Sequence, residues 1–276
     1  MGGGIILRNY RVPTLTIAGS DSSGGAGIQA DLKTFSAIGT YGMSVITAVT
    51  AQNTEGVFAV EELSGEIIKS QIKAIFDDIE PAAVKIGMVS SPEIIVDIVN
   101  TMKKYNPSFL VVDPVMISKS GYSLLKSEAK ENLIKYLIPM AYLVTPNVPE
   151  AEEITGIKIN SVTDMKVAGK KIFELGPKFV LVKGGHLDGE AVDVLIGENI
   201  FEVFETKRIN RKNTHGTGCT ISSAITAYLA LGYGIKEAVE LSKKYITVAI
   251  EHSFDIGHGV GPVHHFYKFE GLTFSK

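Results

Sequence analysis

The sequence predicts an α/β protein with a mostly parallel sheet that helices cover on both sides. Short β-branched runs alternate along the chain with amphipathic stretches of ten or more residues. The short runs are hydrophobic on both faces, as strands are when helices lie on both sides of a parallel sheet. The chain has 276 residues, 45% of them hydrophobic, and no linker, repeat or low-complexity segment divides it. We therefore expect one α/β domain over residues 1–276.

The predicted elements follow one another in order. The strands are Thr14–Gly19, Val45–Gln52, Ala83–Met88, Phe109–Val115, Tyr142–Thr145 and Phe179–Lys183. The helices are Gly27–Ile38, Glu66–Ile79, Pro92–Tyr105, Glu128–Leu137 and Val162–Leu175, with two more after residue 219. Two segments interrupt the alternation: Val57–Leu63, and a hairpin of Ala191–Ile196 and Ile200–Thr206 around Gly197–Asn199. Ligands of such folds bind at the carboxyl ends of the strands, so we expect the site there.

Composition excludes several classes of partner. The net charge is −3, and Lys and Arg are spread along the chain, so we expect neither a nucleic-acid nor a membrane partner. One cysteine cannot form an internal disulfide, and Met1–Arg8 lacks the features of a signal peptide. No apolar run reaches the ~20 residues of a membrane span. We expect a cytoplasmic protein that acts on small molecules.

A glycine-rich turn, Asn213–Cys219, leads directly into a helical pattern. A helix that begins on glycines offers free backbone N–H groups and the positive end of its dipole to an anion. The turn therefore predicts a site for a phosphate or a developing oxyanion. The alternative is an ordinary helix start with Thr217 as its cap.

The loop Ala18–Asp31 also follows a strand and opens a helix. Gly25, Gly27 and Ala30 match the dinucleotide pattern G-x-G-x-x-A, but the turn is too long for a Rossmann loop, and position 50, where that fold needs an acid, is Thr. The match is therefore weak.

Asp31 is more informative than this match. On a helical wheel it falls on the apolar face with Ile28, Leu32 and Phe35, so its carboxylate must find donors or lose its charge. It either bonds the N–H groups of the loop or contacts a ligand, and we favour the ligand.

Gln52 and Asn53 end the second predicted strand. A side-chain amide pairs a donor with an acceptor, which suits a heteroaromatic ring that carries an amine beside a ring nitrogen. The alternative is a turn-forming pair before Gly56. Met88 has two interpretations as well: its sulfur contacts such a ring, or it belongs to the core.

Oxygen ligands follow two further strands. Asp113 ends one, and Asn147 and Glu150 follow the next, a set that suits Mg²⁺ bridging phosphates. Asn147 and Glu150 also fit a capping box, and the two roles are compatible. Lys183, followed by two glycines, can approach a phosphoryl group. The sequence contains no P-loop motif.

Together these motifs resemble the hydroxymethylpyrimidine/phosphomethylpyrimidine kinases of thiamine biosynthesis, members of the ribokinase-like superfamily. The resemblance covers nearly the whole chain. It rests on residues 16–31, Lys85–Met88, Val112–Met116, Thr145–Glu150, Lys183–His186, Asn213–Cys219 and Gly261–Phe266. It implies a ribokinase-like three-layer α/β/α sandwich. It also implies that ATP, with Mg²⁺, phosphorylates 4-amino-5-hydroxymethyl-2-methylpyrimidine and then its monophosphate, giving the pyrophosphate.

The resemblance also implies roles for individual residues. The pyrimidine pocket would be formed by Gly19, Ala26, Asp31, Gln52, Met88 and Val115. The phosphates and nucleotide would be served by Asn147, Lys183, Thr214, Gly216, Thr217 and Gly218. Asp113 and Glu150 would lie near the metal. We further expect a homodimer.

Cys219 departs from the wider superfamily, whose sugar kinases resemble this chain at Gly-Thr-Gly but have an aspartate next, as base. At a helix N-terminus we expect the pKa of a thiol to fall, so that a thiolate could take the proton of the substrate hydroxyl. The alternative is a small cysteine that packs under the substrate.

Alternative functions remain open. Pyridoxal kinase is the nearer one, and a non-catalytic pyrimidine-binding sensor or a Rossmann dehydrogenase the more distant.

Overall fold

The computed structural model describes residues 11–116, 127–185, 187 and 189–269. His186, part of one of the quoted motifs, lies outside them. Within these residues one sheet contains nine strands. They are β1 (Pro13–Asp21), β2 (Tyr41–Gln52), β3 (Val57–Glu62), β4 (Ala83–Ile86), β5 (Leu110–Val112), β6 (Leu143–Val144), β7 (Phe179–Lys183), β8 (Ala191–Gly197) and β9 (Ile200–Thr206).

The helices connect these strands. They are α1 (Gly27–Ile38), α2 (Gly65–Phe76), α3 (Pro92–Tyr105), α4 (Ser127–Asn132), α5 (Val148–Thr155), α6 (Val162–Phe173), α7 (Thr217–Ala230) and α8 (Ile235–Glu251). The predicted helix Glu128–Leu137 is divided, because after α4 the chain widens into a π-helical turn, Leu133–Leu137. In the described part of the chain, no helix is both long and apolar enough to cross a membrane.

The strand order is β3-β2-β1-β4-β5-β6-β7-β8-β9. The six strands from β2 to β7 in this order run parallel, whereas β3, β8 and β9 pair antiparallel at the two edges. The two segments that interrupt the sequence alternation are therefore the antiparallel edges. This confirms the mostly parallel sheet.

The sheet separates two hydrophobic cores. Successive residues of a strand point to opposite faces, so Val112 packs with the core under α2 to α6, whereas Val111 packs with the core under α7 and α8. Helix α1 packs against α7 on the second side. The structure is thus the expected three-layer α/β/α sandwich.

Local sequence fixes where several helices begin. The hydroxyls of Ser64, Ser91 and Ser161 accept hydrogen bonds from backbone N–H groups of α2, α3 and α6. Asn147 and Glu150 form a complete capping box at the start of α5. Helix α5 is absent from the helices predicted by periodicity, since eight residues are too few to establish a period. Its signals in the sequence were those of its ends: the capping box, Pro149 in the first turn and Gly156 after the last residue.

Candidate active site

A cavity of about 1130 Å³ lies where the carboxyl ends of the parallel strands meet the loops before α1, α5 and α7. Nearly all the residues singled out in the sequence border it. These are Gly19, Ala26, Gln52, Met88, Asp113, Val115, Asn147, Glu150, Lys183, Thr214, Gly216, Thr217, Gly218 and Cys219. The tertiary structure thus brings together side chains that come from seven separate segments of the sequence.

The glycine-rich turn begins α7 at Thr217, directly after Gly216. Gly216 has a φ of 79°, in the left-handed region that favours glycine. Thr217 does not cap the helix as the alternative interpretation expected, because its hydroxyl instead donates to the carbonyl of Thr214 at 2.7 Å. No side chain caps the described start of α7, which leaves its N-terminus open toward the cavity.

The loop before α1 and the turn before α7 touch each other closely. A Cβ on Gly216 would lie 1.8 Å from the carbonyl oxygen of Gly25, and a Cβ on Gly25 would lie 2.2 Å from Cδ2 of His215. Neither Gly25 nor Gly216 can therefore carry a side chain. The close contact between the two loops thus accounts for Gly25 without a dinucleotide site.

His215 and Asp21 join these two loops. His215 Nε2 lies 2.9 Å from Asp21 Oδ2, which also accepts hydrogen bonds from the backbone N–H groups of Gly25 and Ala26. Burial alone would raise the pKa of Asp21, but the hydrogen bonds from His215, Ser23 and Ala26 outweigh burial and lower it to about 2. The carboxylate thus stays ionised and holds the loop in place.

Lys183 and Asp113 form an ion pair at the cavity wall. Lys183 Nζ donates to Asp113 Oδ1 at 2.8 Å, and the same oxygen accepts the hydroxyl of Thr145 at 3.0 Å. The pKa of Lys183 is raised, because the negative charges of Asp113 and Glu150 outweigh burial, which acts the other way. Lys183 therefore presents a permanent positive charge to the cavity.

Glu150 adds a second buried carboxyl beside this pair. Its Oε2 accepts the backbone N–H of Asn147 at 2.8 Å, and Asn147 Oδ1 accepts the N–H of Glu150 at 2.9 Å. Burial and the charge of Asp113 raise the pKa of Glu150 to about 7, although Lys183 lowers it in part. The capping role is confirmed, and the carboxyl still faces the cavity.

Asp31 corrects an expectation, because it does not line the cavity among the described residues. Its side chain is completely buried and accepts hydrogen bonds from Lys85 at 2.7 and 2.8 Å, Thr16 at 2.6 Å and Ser223 at 2.5 Å. The helical wheel correctly predicted a buried carboxylate. Its partners within the protein are side chains and not the N–H groups of the loop.

The expected fall in the pKa of Cys219 is also wrong. Burial raises the pKa of this thiol to about 11, the charges of Asp31 and Asp113 add to the rise, and Lys85 opposes it only in part. Burial therefore outweighs the groups that favour the anion, and the free protein holds Cys219 as a neutral thiol at pH 7.

Gln52 and Asn53 separate into different roles. Gln52 borders the cavity, and its amide nitrogen lies 3.3 Å from His215 Nε2. Asn53 accepts hydrogen bonds from the N–H groups of Glu55 and Gly56, so it is the turn residue of the pair.

Met88 packs against Gly19. A Cβ added to Gly19 would lie 3.0 Å from the terminal methyl group of Met88.

Three residues with clear structural roles were not predicted: Asp21, Lys85 and His215. All three border the cavity. Asp21 and His215 lie in motifs quoted above. Their role, however, comes from their contact with each other, although 194 residues separate them in the sequence. Lys85 is a single lysine in an otherwise apolar strand. Because a lysine is rarely buried without a partner, its position in the sequence already indicated a buried partner.

Comparison with known proteins gives a consistent result. The family model described as "Phosphomethylpyrimidine kinase" matches residues 21–264. The hydroxymethylpyrimidine/phosphomethylpyrimidine kinase of Bacillus subtilis is 45% identical over 265 residues, which are 95% of this chain and 98% of that protein. The "Thiamine biosynthesis bifunctional protein ThiED" of Geobacter sulfurreducens is 47% identical over 97% of this chain, but the chain spans only 56% of its length.

Solved structures show the same likeness. The crystal structure of a phosphomethylpyrimidine kinase (thiD) from Clostridium difficile 630 is 74% identical, with a TM-score of 0.79, and covers 87% of this chain and 100% of its own. A Bacillus subtilis pyridoxal kinase in complex with ADP is 41% identical, with a TM-score of 0.87, and covers 93% of this chain and 98% of its own.

Proposed function

Because this chain belongs to the phosphomethylpyrimidine kinase family and is therefore a phosphotransferase, we propose that it phosphorylates 4-amino-5-hydroxymethyl-2-methylpyrimidine with ATP, and then phosphorylates the monophosphate to the pyrophosphate. These are two successive steps on the route to thiamine. The observation that carries the proposal is the single cavity that Gln52, Lys183 and the N-terminus of α7 share. One end suits a flat polar heterocycle and the other suits phosphates.

The residues of the cavity support phosphoryl transfer by charge and position. The substrate hydroxyl oxygen attacks the γ-phosphorus of ATP, the bond from that phosphorus to the bridging oxygen breaks, and ADP leaves with the electron pair. Lys183 and the N–H groups of Gly218 and Cys219 would stabilise the negative charge on the transferring group. The hydroxyl proton passes to Cys219 in its thiolate form. Since the thiol is neutral in the free protein, this thiolate is a minor species that nearby cations must support.

The residues present also fit a magnesium ion of the kind that phosphate substrates bring with them. Asp113 and Glu150 are two buried carboxyls on the cavity wall. Burial first, and then the charge of Asp113, raise the pKa of Glu150, and a cation bound beside it would oppose both effects. Mg²⁺ in such sites uses one or two carboxylates, its own waters and phosphate oxygens, so a closed cluster of protein ligands is not needed. Bound there, the ion would neutralise phosphate charge.

Gln52 would recognise the pyrimidine. Its amide borders the cavity between the two glycine loops, and Met88 and Val115 provide apolar surface nearby. An amide can accept from the ring amine and donate to the adjacent ring nitrogen. Pyridoxal lacks that amine and nitrogen pair, so Gln52 favours the pyrimidine.

The direct test is product analysis. The protein is incubated with ATP, Mg²⁺ and either the hydroxymethylpyrimidine or pyridoxal, and the phosphorylated products are separated. We expect pyrimidine monophosphate first and then pyrophosphate. Absence of both pyrimidine products would refute the proposal.

Pyridoxal kinase is the second candidate, because a pyridoxal kinase with bound ADP shares this fold at a TM-score of 0.87. Pyridoxal phosphate as the main product would favour it. The expected homodimer, cytoplasmic location and single-domain organisation remain predictions.

A further inference from the structure

A completely buried ion pair lies beside the proposed reaction centre. Lys85 Nζ donates to both carboxylate oxygens of Asp31, at 2.7 and 2.8 Å, and neither side chain has any exposed surface. Pairs of this kind contribute little net stability, because removing both charges from water offsets their attraction. A contribution to folding stability therefore does not explain why strand β4 contains Lys85.

The two charges of the pair do not lie equally close to the cavity. Lys85 borders the cavity, whereas Asp31 lies behind it among Thr16 and Ser223, which also donate to the carboxylate. Gly87 leaves room beside the ammonium, since a Cβ there would lie 3.1 Å from Lys85 Nζ. Because Lys85 has no exposed surface, its ammonium does not open into the cavity, but the positive end of the pair is the end nearer the cavity wall.

Cys219 lies one helical turn before Ser223 on α7, and it also borders the cavity. The charged groups that act on its sulfur are Lys85 and Lys183, which favour a negative charge, and Asp31 and Asp113, which oppose it. The backbone N–H of Gly27 also favours the anion. Lys85 is the strongest favourable influence, and it exceeds that of its own partner Asp31.

We propose that Lys85 is a positioning residue that turns the positive end of its buried pair with Asp31 toward Cys219 and the substrate hydroxyl. There it stabilises the negative charge of the Cys219 thiolate and, as the hydroxyl proton moves to that thiolate, the negative charge that passes to the substrate oxygen. The part about the hydroxyl rests on the proposed function. The part about Cys219 concerns the free protein and stands independently of the substrate.

The test uses the fact that Cys219 is the only cysteine in the sequence. Iodoacetamide reacts with thiolates, so its rate at a fixed pH of 8.5, without ligands, reports the anionic form of this one side chain. Lys85→Met leaves the Asp31 charge unpaired and should slow alkylation about tenfold or more, since one pKa unit is a factor of ten. Asp31→Asn leaves the Lys85 charge unpaired and should accelerate it by a similar factor.

The opposite signs are the decisive feature, because mere loosening of the structure would accelerate alkylation in both variants. The double variant Lys85→Met/Asp31→Asn removes both charges and should return the rate to within about threefold of the wild type. The matched control is a second buried pair, in which Lys243 Nζ lies 2.7 Å from Asp193 Oδ2. It borders the same cavity, but it is not among the charges that act on the sulfur of Cys219. Lys243→Met and Asp193→Asn should leave the alkylation rate within about twofold.

Changes of the same sign in the two single variants, or no change, would overturn the inference. If Lys85→Met does not fold, Asp31→Asn is compared with the double variant, because loosening alone would accelerate alkylation in both. Alkylation of Asp31→Asn that is no faster than in the wild type, or that stays equally fast in the double variant, then overturns it. With pyrimidine and ATP, Lys85→Met should lower kcat far more than it raises either KM. A wild type without kinase activity but with opposite alkylation shifts would refute the proposed function and leave the charge effect on Cys219 established.

Discussion

Lys183 Nζ and Asp113 Oδ1 lie 2.8 Å apart although 70 residues separate them along the chain. Lys183 ends β7 and Asp113 directly follows β5, and the sheet brings these two strand ends to one edge. The carboxylate keeps the lysine charged and fixes its position at the cavity wall. This hydrogen bond does not occupy all three N–H donors of the Lys183 ammonium.

The first prediction concerns Lys183. Lys183→Ala should lower kcat by ~10²- to 10³-fold and change the KM for the pyrimidine little, because charge on the transferring phosphoryl group is stabilised mainly in the transition state. Steady-state kinetics with thermal melts will check this, since the variant also leaves Asp113 without its cation. An unchanged kcat with a raised KM would assign Lys183 to ground-state binding only.

The second prediction concerns Gln52. Gln52→Leu should weaken pyrimidine binding by ~1–3 kcal/mol, about 5- to 150-fold, because the polar ring edge loses its buried partner. Calorimetric titration of the pyrimidine measures it directly. Asn53→Ala is the matched control: it removes the neighbouring amide, which only shapes the turn, and should leave the affinity unchanged. Equal affinities in all three proteins would make Gln52 a turn residue as well.

The third prediction concerns Cys219. Cys219→Ala should reduce kcat about 100-fold, within the range for loss of a general base, and leave ATP binding nearly intact. Cys219→Asp should restore part of the rate. Near-normal turnover in the alanine variant would make Cys219 a packing residue.

The pKa of Cys219 supplies a separate check. Because the pKa of its thiol is about 11, the thiolate fraction and kcat of the wild type should rise from pH 7 to 10. The aspartate variant is already ionised over this range, so its rate should be flat. Parallel pH profiles would contradict a thiolate base.

The fourth prediction concerns Glu150 and magnesium. Because burial and Asp113 raise the pKa of Glu150 to about 7, protons should compete with Mg²⁺ below that pH. The Mg²⁺ concentration for half-maximal rate at fixed ATP should therefore fall as the pH rises from 6 to 8. Glu150→Gln should need more Mg²⁺ and lose this pH dependence, whereas Glu131→Gln, an exposed carboxyl on α4, should behave like the wild type. A Mg²⁺ requirement unaltered in Glu150→Gln would remove Glu150 from the metal site.

The fifth prediction concerns stability in acid. Burial and the charges of Lys33 and His264 lower the pKa of His265 from 6.5 to about 3. Between these values the unfolded chain binds a proton that the folded protein does not. The free energy of unfolding should therefore fall as the pH drops from about 6.5, by up to about 1.4 kcal/mol per pH unit.

The comparison with His265→Gln isolates this contribution. Glu150 acts with the opposite sign, because its raised pKa favours the folded state at low pH, and Asp21 acts only below about 3.8. Urea unfolding at pH 5, 6, 7 and 8 should therefore show a steeper loss of stability in the wild type than in the variant. Equal slopes would mean that His265 binds its proton equally in the folded and unfolded states, so that folding does not lower its pKa.

Much of this protein could be read from local patterns. Helices α1 and α3 and strand β7 have the predicted bounds, because periodicity, serine or glycine at the ends and buried runs are properties of neighbouring residues. The same holds for the site residues that end strands, such as Gln52, Asp113 and Lys183. In a parallel sheet, sequence position at a strand end already fixes position in space.

What the sequence left open depended on contacts between distant segments. The wheel placed Asp31 on a buried face, but only the register that sets Thr16 opposite Lys85 gave its carboxylate a partner and removed it from the cavity. The helix N-terminus suggested a reactive Cys219. Its pKa, however, depends on burial and on the charges of Asp31, Lys85 and Asp113, which lie in distant segments and which no local pattern contains. Sequence therefore determined the fold and the strand-end residues, whereas charge state and pairing were decided by tertiary structure, because electrostatic energies depend on distances through space rather than along the chain.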